Sequence, residues 1–298
     1  MSLSVLQGAV EQGFIYSLVA LGLFLSYRTL DIADLTTDGT FTLGAACSAV
    51  LTVLGHPVLG LLLAILAGAL AGGVTALLQT KLGVQSILAG IVTMTGLYTV
   101  NLAVMGGRSN LNMLREENVF TAAEALLGPL GKLVLSGAFA LAAGVLLLLF
   151  LRTQLGLSIR ATGDNREMVA ASSIDPAFTT TVGLCTANAL VGLSGGLLVQ
   201  YQKFSDINLG TGMVVIGLAS LIIGEVVTGR RSVARGIAAA VIGAVIYRII
   251  IAAALAANVG AQNFKLVSAV IVAAAISYPT LAEKARFAKR RREAEQDG

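Results

Sequence analysis

Long apolar runs separated by short polar punctuation make up most of the chain. Nine stretches are long and greasy enough to form helices crossing about 30 Å of hydrocarbon. They fall near residues 4–27, 39–55, 57–80, 84–106, 132–151, 177–200, 210–228, 236–257 and 266–282. The pattern predicts an all-α, polytopic transmembrane helical bundle forming one membrane-embedded domain over 1–298. Within it lie a first half (1–155), a polar segment (156–175), a second half (176–282) and a basic tail (283–298).

Composition agrees with a lipid solvent. Of the 298 residues, 56% are hydrophobic and 12% charged, about half the charge a soluble domain carries. The 34 glycines suit helices that pack through small residues. The N-terminus has no basic stretch or cleavage site, so no removable signal peptide is read.

Lys and Arg set the expected orientation. With the tail (Lys284, Arg286, Lys289, Arg290, Arg291, Arg292) in the cytoplasm, Arg28, Lys81, Arg152, Arg160, Arg166, Arg230, Arg231 and Arg235 also fall inside. Arg108, Arg115, Lys132, Lys203 and Lys265 fall outside. That asymmetry favours nine spans, a multi-pass protein, a cytoplasmic C-terminus and an external N-terminus.

Little in the chain points to catalysis. Cys47 and Cys185 sit in apolar runs and read as small core residues. His56 is the single histidine, so neither a histidine metal site nor a catalytic base is expected. A nucleotide-binding G-x-x-x-x-G-K-[ST] is missing, since Leu133 follows Gly131-Lys132 and Leu126 occupies the first glycine position. No catalytic residue, metal or cofactor is assigned to this chain, and nucleic acid is not an expected partner. If ATP drives it, ATP and Mg belong to a separate subunit.

Polar residues inside apolar runs are the candidates for function. Glu11 and Arg248 are expected at matching depth: they neutralise each other, contact solute or are satisfied separately. Glu225, close to Arg230 in sequence, reads as an interfacial charge with an arginine partner, a functional role being the alternative. Asp31, Asp34 and Asp38 crowd the segment before Gly39, either a capped surface turn or a broken helix facing a cavity. Asn101, Asn188 and Gln200 are further pathway candidates, with inter-helix hydrogen bonding as the plainer role. The run Tyr27–Asp31–Ile32–Gly39 is echoed by Tyr201–Asp206–Ile207–Gly210–Gly212. In the nine-span topology the two copies run oppositely, as in the inverted repeats of transporters.

Two loops remain. Gly106–Gly131 is an ordinary connector or an external docking surface, with Thr121-x-x-Glu124 reading as a capping box and Arg108 and Arg115 available to a partner's acids. In Gly156–Asp175, Asp164 or Asn165 caps a short helix through Arg166–Ala171, with Met168, Val169 and Ala171 as an apolar ridge.

The run GLSIRATGDNREMVAASSID resembles the coupling segment of permeases from ABC importers of the branched-chain amino acid and ribose type. There the pattern is approximately G-L-x-x-R-A-x-G-x-N-x-x-x-A-x-x-x-G-I. Gly156, Leu157, Arg160, Ala161, Gly163, Asn165 and Ile174 match; Val169 replaces Ala and Ser173 replaces Gly. LDIADLTTDGTFTLGAA is similar to the segment after the first helix of these permeases. IVTMTGLYTVNLAVMGG and MVVIGLASLIIGEVVTGRR resemble a branch that includes tryptophan and tyrosine importer permeases.

The resemblance covers about residues 5–280. It implies a homodimer in the lipid bilayer of a bacterial cytoplasmic (inner) membrane, an ABC ATPase docked at the coupling segment around Arg160, Asp164 and Asn165, and an extracytoplasmic solute-binding protein. The implied solute is small, an amino acid with an aromatic one preferred. A sugar or nucleoside is the alternative solute, and an ion-coupled secondary transporter is the alternative mechanism.

Overall fold

The computed structural model describes residues 3–229 and 232–256, with 269, 270, 273 and 277 beyond them. The span expected at 266–282, the tail, Arg230, Arg231 and Lys265 otherwise lie outside the described residues.

Helix α1 (Leu3–Leu23) runs on through a π-helical stretch, Phe24–Thr29, and the chain breaks at residues 30–35. Then come α2 (Thr36–Val53), α3 (Pro57–Thr80), α4 (Ser86–Val104), a short strand β1 (Asn110–Asn112) and α5 (Val119–Leu127). After α6 (Gly131–Arg152) come α7 (Gln154–Asp164) and α8 (Arg166–Ala171), which fill the polar segment. The second half holds α9 (Pro176–Gln202), strand β2 (Phe204–Asp206), α10 (Met213–Thr228) and α11 (Val233–Ala256). The protein is thus an all-α polytopic bundle, with one small antiparallel ribbon where β1 pairs with β2.

Six helices among the described residues, α1, α3, α4, α6, α9 and α11, are long and apolar enough to cross a membrane, α1 with its π-helical extension and α6 with the short segment before it. The other two long helices, α2 with 18 residues and α10 with 16, rise about 27 and 24 Å, less than the hydrocarbon thickness. Both follow a break in the chain, and they occupy equivalent places in the two halves.

That equivalence is an internal inverted repeat visible in the packing. Ser194 donates from its hydroxyl to Ile15 O at 2.7 Å, and Tyr201 meets Glu11. Residue numbers therefore rise along α9 as they fall along α1, so these two helices are antiparallel. Around them the neighbours repeat. Helix α3 lies antiparallel on α9, with Gly68 against Asn188 and Gly72 against Leu184. Helix α11 lies antiparallel on α1, with Val245 against Gly13 and Phe24 against Gly236. Likewise α2 packs on α3 and α10 on α11. Close approach is made possible by glycine: a methyl group at Gly44 would overlap the Gly192 carbonyl, so α2 and α9 touch backbone to backbone.

Candidate functional site

Before the break at residues 30–35 the helix is under-wound. At the end of Phe24–Thr29, Leu30 N–H reaches Leu25 O at 3.1 Å, the π-helical spacing, and Ile32 N–H reaches one residue wider, to Ser26 O at 2.9 Å. π-Helical turns recur at functional positions. The freed backbone then needs partners in a place without water. Asp34, 2% exposed, supplies one: its Oδ1 accepts from Thr36 N–H at 2.9 Å, at the start of α2. Its other oxygen accepts from Asn188 Nδ2 at 2.6 Å, twelve residues into α9. A broken helix inside the protein is thus what the acid-rich segment builds. Asp31 sits at its exposed edge with φ +56°.

One turn further on, Asp38 serves the other half of the repeat. Its carboxylate accepts from Gly212 N–H at 2.8 Å and Val214 N–H at 2.9 Å. It therefore caps α10, where an anion also meets the positive end of the helix dipole. Thr42 Oγ1 accepts from Gly210 N–H at 3.0 Å. The two short helices are joined by this acid.

Beside that junction lies a cavity of about 340 Å³, bordered by Asp38, Met94, Thr95, Tyr98, Asn101 and Thr211 among others. Thr95 is halfway along α4 and Asn101 is one turn from its end, so the cavity runs from the middle of that helix toward Val104. Thr95 and Tyr98 are exposed. A polar opening at such a depth fits a water-filled space rather than lipid. Asn101 is 2% exposed and donates from Nδ2 to Gly39 O at 3.2 Å, while its Oδ1 has no hydrogen-bond partner. An orphan buried acceptor of this kind costs about 1–3 kcal/mol unless something fills it.

The remaining candidates have other company. Gln200 is a clamp: Nε2 donates to Ser48 Oγ and Pro57 O, both at 2.9 Å, and Oε1 accepts from Val119 N–H at 3.2 Å. Glu11 and Arg248 form no ion pair among the described residues. Glu11 accepts from Gln7 Nε2 and Tyr201 OH, each at 2.8 Å, whereas Arg248 stacks over Tyr16 with its guanidinium 4.6 Å from the ring centre. Each side chain is thus taken by a tyrosine of another helix: Tyr201 for Glu11, Tyr16 for Arg248. Glu225 bridges to Arg28 at 3.0 Å; the expected partner, Arg230, lies outside the described residues. In the long loop the cap is Asn118, reciprocated by Thr121, while Glu124 pairs with Lys132 at 3.0 Å. The box therefore starts three residues earlier than Thr121-x-x-Glu124 suggests. Arg108 and Arg115 are exposed there.

The polar segment is more helical than its composition suggests, since α7 already begins at Gln154. Asn165 caps α8, accepting from Met168 N–H at 2.9 Å. Val169 is buried, but Met168 and Ala171 are exposed, as are Leu157, Arg160 and Asp164. The inner side of α7 is locked to the bundle. Thr162 shares a hydrogen with Thr179 at 2.8 Å, Gly156 sits against Phe150 and Leu151, and Gly163 has no room for a methyl group beside the Thr29 carbonyl. Ala161 is half-buried. Ile174 N–H returns to Val169 O at 3.3 Å, the helix-ending bond of a Schellman motif.

A multi-pass helical bundle with an inverted repeat, two short helices joined at its centre and a polar cavity beside them defines a membrane transport subunit. Comparison with known proteins gives the family. Residues 5–276 match the family described as branched-chain amino acid transport system, permease component, and the chain belongs to it. It is 35% identical over 266 residues to a tyrosine transport system permease protein of Clostridioides difficile (strain R20291), covering 89% of this chain and 88% of that one. It is 31% identical over 281 residues to an uncharacterised protein of Rickettsia prowazekii (strain Madrid E), covering 92% and 98%. No solved structure matches it.

Proposed function

We propose that this chain is the translocating subunit of an ABC importer that carries an amino acid, aromatic by preference, across a bacterial cytoplasmic membrane. The observation that carries the reading is the α7–α8 unit. It presents exposed Leu157, Arg160, Asp164 and Met168 on one side, while Gly163 and Thr162 fasten its other side to Thr29 and Thr179. A short helical unit held so tightly and displayed so openly suits the grip of a soluble motor. Permease family membership and a relative named for tyrosine transport support the solute class.

In this reading α7–α8 and the basic tail face the cytoplasm, and a separate ATPase supplies ATP and Mg. A second copy of the chain completes the pathway, and Arg108 and Arg115 meet an external binding protein. The permease breaks no covalent bond. It offers two cavity shapes whose populations the ATPase shifts. The thrust enters at Arg160 and Asp164, passes through Gly163 to Thr29 and Leu30, and reaches the broken segment that holds Asp34 against Asn188.

The test is capture of the motor. The tagged chain, purified from its own organism's membranes, is expected to bring an ABC ATPase with it. Arg160→Glu should keep the permease assembled while unlinking ATP hydrolysis from uptake. Uptake at the normal rate by that variant would remove the assignment of α7–α8.

A further inference from the structure

We infer that the cavity between α4 and the α2–α10 junction is a recognition site for a primary ammonium group, the α-amino end of the transported solute. This deepens the transport reading above and rests on it.

The lining carries a negative charge with no cationic neighbour. Asp38 brings a carboxylate whose two oxygens have each taken one backbone N–H, from Gly212 and Val214. Its charge is met by amide dipoles only, because the ion pairs among the described residues are Arg28–Glu225 and Lys132–Glu124. No Lys or Arg among the described residues borders the cavity. Thr42 has spent its hydroxyl hydrogen on Asp38 O at 3.3 Å. Thr95 has likewise donated to Ile91 O at 2.8 Å, and one N–H of Asn101 Nδ2 serves Gly39 O. The hydroxyls of Tyr98 and Thr211 and the amide of Asn208 also border the cavity and can donate or accept. Beside them stand pure acceptors: the remaining lone pairs of Asp38, those of Thr95, and Asn101 Oδ1 with no partner.

A wall with a net negative charge and an unpartnered acceptor repels a carboxylate and matches a cation that donates several hydrogen bonds. A protonated primary amine does this with three N–H groups. The apolar part of the lining, Met94 and Tyr98, would take the rest of the solute, and a volume near 340 Å³ is at the small end of ligand pockets. A sugar or nucleoside, being neutral, has no charge to answer the Asp38 carboxylate and matches this wall less well.

Thiol labelling tests the inference without relying on transport. Thr95→Cys is introduced into the full chain lacking Cys47 and Cys185, in lipid nanodiscs, with Leu82→Cys as an exposed control remote from the cavity. The aminoethyl methanethiosulfonate cation should label Cys at 95 about tenfold faster than the sulfonatoethyl anion, relative to the control, the effect of one nearby charge. Asp38→Asn should erase that preference. L-tyrosine and tyramine should protect the thiol, and 3-(4-hydroxyphenyl)propionate, which keeps the ring and the carboxylate but has no amine, should not. Asn101→Leu should keep the charge preference yet lose the protection. Equal labelling by both reagents, protection by the propionate, protection by sodium ions alone, or no protection by either amine would each overturn the site. These results separate from the importer reading. Amine protection with uptake that ignores ATP would keep the site and remove the importer, and ATP-driven uptake with no charge preference would do the reverse.

Discussion

Ser173 shows how one residue can sit at odds with its backbone. It adopts φ +60° at the position after the end of α8, where the Schellman bond from Ile174 demands a left-handed residue and glycine is the usual solution. Ser173→Gly should therefore raise stability by about 1 kcal/mol, read as a higher unfolding temperature in detergent. A lower one would mean that the serine hydroxyl has a structural task. Asp34 and Asn188 make a sharper case. Asn188→Leu would leave a buried carboxylate oxygen without its donor and should cost about 3 kcal/mol. The double variant with Asp34→Asn should lose less than the sum of the two single changes, and strict additivity would mean that the 2.6 Å contact carries no coupling. The sequence displays such residues as polar interruptions in apolar runs, which made Asp34, Asn101 and Asn188 visible as candidates. It reports depth along a helix but not the face a side chain occupies. Glu11 and Arg248 therefore looked like partners, although Tyr201 and Tyr16 take them instead.

Among elements, the informative pair is α2 and α10. Each is short for a membrane span, each follows a break, and each occupies the same place in its half of the repeat. Short segments in corresponding positions are where transporters of inverted-repeat design bind their cargo. The faint echo between residues 27–39 and 201–212 was the trace of this in the sequence. The pairing of the two short helices through Asp38 was not legible there, because it joins positions 174 apart in the chain, Asp38 and Gly212. Element α7 was only half legible: its glycines and charges read as loop, yet Gly156 and Gly163 are the points where the helix touches Leu151 and Thr29. Gly163→Val should force α7 off the Thr29 carbonyl. Overpacking of that kind costs about 1–3 kcal/mol, enough to bias a two-state balance roughly tenfold. Uptake should fall by about that factor while the ATPase remains bound. Unchanged uptake would mean that force reaches the break by another route.

At the scale of the whole molecule, most charged residues described lie toward two ends of the bundle, while Asp34, Asp38, Asn101 and Asn188 gather nearer its centre. The α7–α8 unit, the Arg28–Glu225 bridge and a cavity of about 400 Å³ that includes Arg160 and Asp164 share one end. The β1–β2 ribbon, Arg108 and Arg115 belong to the other. The all-α class and most spans followed from hydropathy alone, since runs of apolar residues leave a chain in lipid few alternatives to helix. The central claim is that this scaffold works only when a separate motor moves it. Uptake of labelled tyrosine into proteoliposomes measures that claim most directly, comparing the chain alone with the chain plus its ATPase and binding protein. Uptake should require all three components, with the binding protein in the bath and ATP in the vesicle lumen beside α7–α8, and should survive collapse of proton and sodium gradients. Uptake by the chain alone, driven by an ion gradient without ATP, would contradict it.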